Sequence, residues 1–454
     1  MDTKIERIEG ARILDSRGNP TVKAKVTLAG GAVGSASVPS GASAGVHEAK
    51  ELRDGDEAYG GLDVKRAIAG VNGEIASALR GMAADDQEAV DGALREIDGT
   101  DNFARIGSNA ALAVSLACAR AAADAAKMPL WRYLADIAGT KPSLPSPMMN
   151  VLNGGAHATN TLDVQEFMIV PTAFETFADS LRAGAEMYRI LRRILASRSL
   201  TTAVGDEGGF APELTGNDDA LALLLEAIEQ AGYSGRIGLA LDAAASEWCK
   251  SGVGAEASVD VVSPPGSLVP HAVQDVTIVR TETGERPCEG KGMQYLLPKS
   301  RLSFSAASLV DEWERLADKY PLISIEDGAG EDDHDGWRVL YTRLGARIML
   351  VGDDLFVTDA ARIKNGEKLA NSVLIKPNQT GTLTSTLQAI AAARSLGMNI
   401  IVSHRSGDTA DAFIADLSVA VGAPFIKSGA PCRAERTEKY NRLLEIEAEL
   451  ESLK

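Results

Sequence analysis

The sequence predicts an α/β protein in which a small N-terminal α+β domain precedes a closed β/α barrel. Three observations carry that expectation. Short β-branched runs recur through the later part of the chain, as LDVQEF, TTAVGDEGG, IGLALD, LISIED, IMLVGDD, SVLIK, NIIVSH and PFIK. Five of them end on the polar residues Glu326, Asp353, Lys376, His404 and Lys427, separated by 27, 23, 28 and 23 positions, close to the length of one βα unit. Helical segments such as STLQAIAAARSLG and ADAFIADLSVAVG lie between the runs, as right-handed parallel crossovers require. Continuous apolar strands imply a sheet covered on both faces, and about eight in one domain favour closure into a barrel. The competing architecture, a doubly wound open sheet, lacks the Gly-rich dinucleotide fingerprint after an early strand.

The elements follow in order. The first forty residues alternate in the manner of strands through RIEGARILD, TVKAKVTLAG and GAVGSASVPS, with Gly-Asn-Pro and Gly-Gly turns, which predicts a three-stranded antiparallel meander. From Gly61 to Ala138 the period becomes helical, most clearly in SNAALAVSLACARAAADAAK. The Pro/Ser-rich GTKPSLPSP at 139–147 marks the boundary between a capping domain, 1–138, and the barrel, 139–454. An insertion is expected at about 250–302, where DVTIVRTETGERP has the alternation and turn of a hairpin.

Composition excludes several classes of function. A chain of 454 residues with 45% hydrophobic and 24% charged residues buries a large core, and its net charge of −17 argues against sequence-independent nucleic-acid binding. No apolar run reaches the roughly 18–20 residues of a membrane span. The N-terminal MDTKIERIEG has neither a signal peptide's apolar core nor an arginine-rich transit pattern, so a cytoplasmic location is expected. Cys118, Cys249, Cys288 and Cys432 lack CxxC spacing and are expected to be reduced structural thiols.

The chemistry collects at the strand ends. Asp242, Glu326 and Asp353 in one barrel mouth repel one another without a cation, and an all-oxygen set suits magnesium first. Lys376 and Lys427 end apolar strands, where a lysine is costly unless paired or functional; beside a metal and other cations its pKa falls toward that of a general base. In VGDEGGFAP, Glu207 stands next to a glycine pair that lets backbone approach a ligand, which makes it the general-acid candidate. SHRSG offers His404, Arg405 and Ser406, a set suited to a phosphate monoester. His157 sits among glycines in GGAHA, although a satisfied core histidine is the ordinary alternative.

These residues fall in motifs that resemble the enolases over nearly the whole chain. The motifs are DSRGNPTV, VPSGASAGVHEA, LNGGAHA, VQEFMIVPT, VGDEGGFAP, LDAAASE, SIED, VGDDLFVT, IKPNQTGTLT, VSHRSGDT and KSGAPCRAER. The resemblance implies an enolase-type barrel whose early strands depart from parallel alternation, and a lyase that converts 2-phosphoglycerate to phosphoenolpyruvate. It implies two magnesium ions per site, the first on Asp242, Glu326 and Asp353, the second arriving with substrate on Ser43 and the phosphate. Lys376 is then the base and Glu207 the acid, supported by Glu166, Gln165, His157 and Lys427, with His404, Arg405 and Ser406 on the substrate side. A homodimer or higher homo-oligomer is also implied.

Four departures from the usual enolase pattern stand out: Ala44 in the first lid loop, Ala156, Gly328-Ala329 in place of proline and a bulky apolar residue, and the long 250–302 segment. In enolases this last segment is a lid, so an elaborated lid beside softened loops admits a larger substrate. A paralogue of phosphonate or phosphinate biosynthesis, similar to carboxyphosphonoenolpyruvate synthase, is therefore the alternative. A non-catalytic enolase-like binding or structural protein is disfavoured, because a scaffold has no need of Lys376 beside three acids.

Overall fold

The computed structural model describes residues 1–41, 47–250 and 293–452. The expected meander is present as β1 (Ile5–Leu14), β2 (Pro20–Leu28) and β3 (Val33–Ser37), paired antiparallel in that order. One face packs on the helix Ser108–Ala126, which is buried on nearly every side and is built almost entirely of alanine and other small residues. A helix that is apolar all round belongs in a core. The approach is close enough that a Cβ on Gly34 would lie 2.1 Å from the Ala117 carbonyl oxygen, so only glycine fits there.

Eight strands close the barrel in the order β10-β11-β12-β13-β14-β4-β5-β6. They are β4 (Ser146–Asn153), β5 (Glu166–Pro171), β6 (Ile237–Asp242), β10 (Leu322–Glu326), β11 (Met349–Gly352), β12 (Ser372–Ile375), β13 (Asn399–Ser403) and β14 (Phe425–Lys427). Met148, Met168, Val170, Ala240, Val351, Leu374 and Ile401 fill the interior as a small core of their own. β5 runs antiparallel to both β4 and β6, and the other pairs are parallel.

Two strand readings are corrected. LDVQEF is not a strand that ends in polar residues: β5 begins at Glu166 and continues as EFMIVP. Because it runs backwards, its first residue reaches the mouth. TTAVGDEGG contributes no barrel strand and forms a loop held by isolated bridges from Phe210 to Leu152 and Val204. Its place is taken by SPMMNVLN, whose Ser-Pro start imitates a linker although every residue after Ser146 is buried.

A second three-stranded sheet is made by β7 (Cys249–Lys250), β8 (Gln294–Leu296) and β9 (Ser303–Ser305). β7 and β8 pair antiparallel, so the chain leaves and re-enters the described structure on neighbouring strands. The hairpin expected in DVTIVRTETGERP lies outside the described residues, as does Ser43. Among the described residues no helix is long and apolar enough to cross a membrane.

Candidate active site

Register brings the mouth together. Glu166 pairs with Asp242, and Asp242 with Glu326, so three carboxylates stand side by side on β5, β6 and β10. Lys427, at the end of β14, reaches all three, with Nζ 3.2 Å from Glu166 Oε2, 3.2 Å from Asp242 Oδ2 and 2.9 Å from Glu326 Oε2. Lys376, just past β12, is paired with Asp353, just past β11. Glu48, Gln165, Glu207, His157, His404, Arg405 and Ser406 line the same cavity.

The remaining contacts give each group a neighbour. Gln165 donates to Asp242 Oδ2 at 3.3 Å. Arg405 grips Glu48 with both terminal nitrogens, at 2.9 and 3.2 Å, and donates to Asn378 Oδ1. Asn150 donates to Glu207 Oε2 at 3.1 Å, while His157 Nδ1 lies 3.8 Å from Glu166 Oε1 and 4.0 Å from Glu207 Oε1. Lys299, from the end of the expected insertion, donates to the Ala158 carbonyl at 2.7 Å, and the amides of Lys299 and Ser300 donate to Asp163. The returning arm is thus tied to the loop that carries His157.

Protonation follows from burial and neighbours. Burial, then Glu207, Asp242 and Glu326, push Glu166 well above the ordinary carboxylate range against Lys427. Burial opposes ionisation of Glu207 too, yet His404, His157 and Arg436 outweigh it and hold that carboxyl well below the usual range. Of the two, Glu166 is the one whose surroundings favour the protonated form. Burial lowers Lys376, but Asp353 more than offsets it and holds the ammonium above its ordinary value. The nearby acid thus opposes the lowering that burial, Arg405 and Lys427 exert on this lysine.

The acids fit a hard cation. Burial together with Asp242 and Asp353 raises Glu326 to about 8, and burial together with Asp353 raises Asp354 to about 8. Such crowding of buried carboxylates is relieved by a divalent ion. Among the described residues, two groups each bring three donor atoms within 4.8 Å of one another: His157, Glu166 and Glu207 in one, Asp327, Asp353 and Asp354 in the other. Of the expected trio, Asp353 belongs to the second group, while Asp242 and Glu326 are held by Lys427. Asp327 is engaged otherwise: its carboxylate accepts the amides of Asp353 and Asp354 at 3.0 and 2.9 Å, which braces the loop that presents Asp353.

A pH dependence follows, with its sign. Glu166, Glu326, Asp327 and Asp354 bind protons in the folded protein at pH values where the unfolded chain has released them. The metal-free protein is therefore expected to lose stability as pH rises from about 4.5 to about 8. His404, lowered by burial to about 4, acts in the opposite sense between its ordinary 6.5 and 4, and is outnumbered by the raised carboxyl groups. Melting temperatures in a chelator across this range test the point, and magnesium should flatten the curve. A metal-free melting temperature that rises toward pH 8 would contradict it.

The glycines after Glu326 are not a softened loop. Gly328, Ala329 and Gly330 are buried, the Gly328 carbonyl accepts Trp313 Nε1 at 2.8 Å, and the Gly330 carbonyl accepts Trp337 Nε1 at 3.1 Å. The Gly330 amide donates to Tyr295 Oη at 3.0 Å, and that hydroxyl donates to Asp333 at 2.5 Å. A Cβ on Gly330 would stand 2.4 Å from Cys249 Sγ, so the glycine lets the β7 strand pack against this turn. Trp313→Phe leaves the Gly328 carbonyl buried without its donor and should cost about 1–3 kcal/mol in denaturant unfolding; an unchanged midpoint would show that the turn does not need the indole.

Sequence reasoning missed Glu48, Gln379 and Thr358. Gln379 donates to Asp353 Oδ1 at 3.0 Å and to Glu48 Oε1 at 3.3 Å, and Thr358 donates to Gln379 Oε1 at 2.6 Å. The signal was present in VHEA, KPNQTG and LFVT, but nothing local says that those polar residues face the mouth.

Two family models match the chain. The one described as Enolase, N-terminal domain, covers residues 5–134, and the one described as Enolase, C-terminal TIM barrel domain, covers 141–257 and 293–454. The match passes over residues 258–292, within the segment expected to be an insertion.

Proposed function

The chain belongs to the enolase family and is a lyase of that superfamily; from that premise we propose that it is a magnesium-dependent phosphopyruvate hydratase, eliminating water from 2-phosphoglycerate to give phosphoenolpyruvate. The observation that carries this reading is topological. In the closed order, β12 and β5 lie four strands apart among eight, so Lys376 and Glu166 face each other across the barrel. A base on one face of the substrate and an acid pair, Glu166 and Glu207, on the other suit removal of the α-proton and departure of hydroxide on opposite faces.

The residues divide the work by charge. Lys376 takes the proton α to the substrate carboxylate, a weakly acidic position whose ionisation adds negative charge to that group. Lys427 answers that charge by electrostatic stabilisation, commonly worth several kcal/mol. Glu166 and Glu207 supply the proton to the leaving hydroxide, oriented by His157, with Gln165 beside them. Arg405, Ser406 and His404 are assigned to the phosphate. Asp242, Glu326 and Asp353 would hold the first magnesium and Ser43 the second; when bound, the metal supplies Lewis-acid charge at the substrate carboxylate. The carboxylates that raise the pKa of Lys376, Asp353 and Glu326, are candidate ligands, whereas burial, Arg405 and Lys427 all lower it. Engaging those carboxylates therefore favours the neutral amine that a base requires.

Purified protein with magnesium and 2-phosphoglycerate, followed by ultraviolet absorbance of the enol product, tests the proposal. Turnover of roughly 1–1,000 per second supports it. Slow or absent turnover with intact magnesium binding favours the second reading, a paralogue acting by the same enolate chemistry on a larger phosphonate-type substrate. That reading is favoured by one observation, the break in the family match at 258–292. We also propose at least a homodimer acting in the cytoplasm on a small phosphorylated hydroxy acid, without nucleic-acid or membrane partners; light scattering tests the assembly.

A further inference from the structure

One buried charge sits behind the proposed site and takes no part in the chemistry assigned above. Arg436, on the C-terminal helix Ala434–Ser452, is completely buried. Its Nη1 bonds His404 Nδ1 at 2.6 Å and donates to the Arg405 carbonyl at 2.6 Å; its Nη2 donates to the carbonyls of Asp206 at 3.0 Å and Ser406 at 2.6 Å. Glu435 and Asp408 lie farther off, at 3.5 and 3.7 Å. One guanidinium therefore joins the loop after β13 to the loop that carries Glu207. Gly429 makes room for it, since a Cβ there would come within 3.0 Å of Arg436 Cδ and 3.2 Å of His404 Cε1.

The chemistry of the contact is one-sided. A guanidinium has only donors and does not deprotonate in proteins, so the His404 nitrogen that faces it must accept. A neutral imidazole with a bare Nδ1 carries its hydrogen on Nε2. That nitrogen lies 3.5 Å from Glu207 Oε2. We infer that Arg436 is a positioning residue: it fixes His404 as the Nε2–H tautomer and turns that N–H toward Glu207, holding the acid pair in its working arrangement. The lowered pKa of His404 agrees, because the imidazole stays neutral at physiological pH. The inference rests on the proposed reading only in the role given to Glu207; the tautomer itself is measured without turnover.

The experiment uses the full chain labelled with ¹⁵N-histidine at pH 7, with His404 assigned by difference from His404→Gln. The expected result is an acceptor-type Nδ1 and a protonated Nε2 in the parent protein, and a mixture of tautomers in Arg436→Met. On a turned-over substrate, Arg436→Met should lower kcat on the order of tenfold to a hundredfold, with part of the loss restored by added ethylguanidinium. A protonated Nδ1 in the parent protein overturns the inference, and so does an unchanged tautomer in a folded Arg436→Met. Should Arg436→Met fail to fold, the parent spectrum still decides the tautomer, and Arg436→Lys, which keeps a cationic donor, is expected to retain the Nε2–H form. Absence of activity on 2-phosphoglycerate with the expected tautomers would count against the substrate and leave the Arg436 assignment standing.

Discussion

Lys376→Ala is expected to abolish exchange of the substrate α-proton with solvent and to lower turnover by about 10²–10⁴-fold, the usual contribution of a positioned general base. The reason is geometric. Lys376 follows the end of β12, is largely but not fully buried, and lies across the barrel from β5, so no other described amine shares its position. Lys427 does not replace it, because it is committed to Glu166, Asp242 and Glu326. Deuterium exchange into 2-phosphoglycerate, followed by proton NMR, separates this step from loss of hydroxide. Glu207→Gln and Glu166→Gln should retain part of the exchange while losing turnover, since they act on the departing group. Normal exchange in both Lys376→Ala and Glu207→Gln would refute the division of labour.

Glu326→Gln should have the second large effect, a fall in magnesium affinity on the order of 100-fold, read by calorimetry. The same change should leave the metal-free protein at least as stable as the parent. Glu326 is a buried carboxylate raised to about 8 by burial and by Asp242 and Asp353, so neutralising it relieves a conflict that only a cation otherwise resolves. Lys427 keeps two of its three carboxylate partners, Glu166 and Asp242. Opposite signs for affinity and stability distinguish a ligand from a structural acid. If affinity is unchanged and stability falls, Glu326 is a structural partner of Lys427 and not part of a metal site.

Much of the site was readable in one dimension because parallel βα units repeat at a nearly constant length. That spacing brings out Glu326, Asp353, Lys376, His404 and Lys427 as equivalent strand ends; the last four line one cavity, and Glu326 is bonded to Lys427 beside it. The early barrel was less readable. Alternation reports which residues are buried, not which way a strand runs, so LDVQEF reads as a run ending at the mouth although β5 begins there. Pro147 and the serines before it masked β4, although the strand behind them is buried throughout.

The sequence by itself determined the ionisable groups at the later strand ends, since Glu326, Asp353, Lys376, His404 and Lys427 follow from the length of the repeat. Tertiary structure decided which groups at the mouth carry protons. Glu166 and Glu207 are the same side chain in similar burial, yet one is held neutral by neighbouring acids and the other charged by His404, His157 and Arg436. Interactions between charges depend on distance and on exclusion of water, and neither is a property of position along the chain.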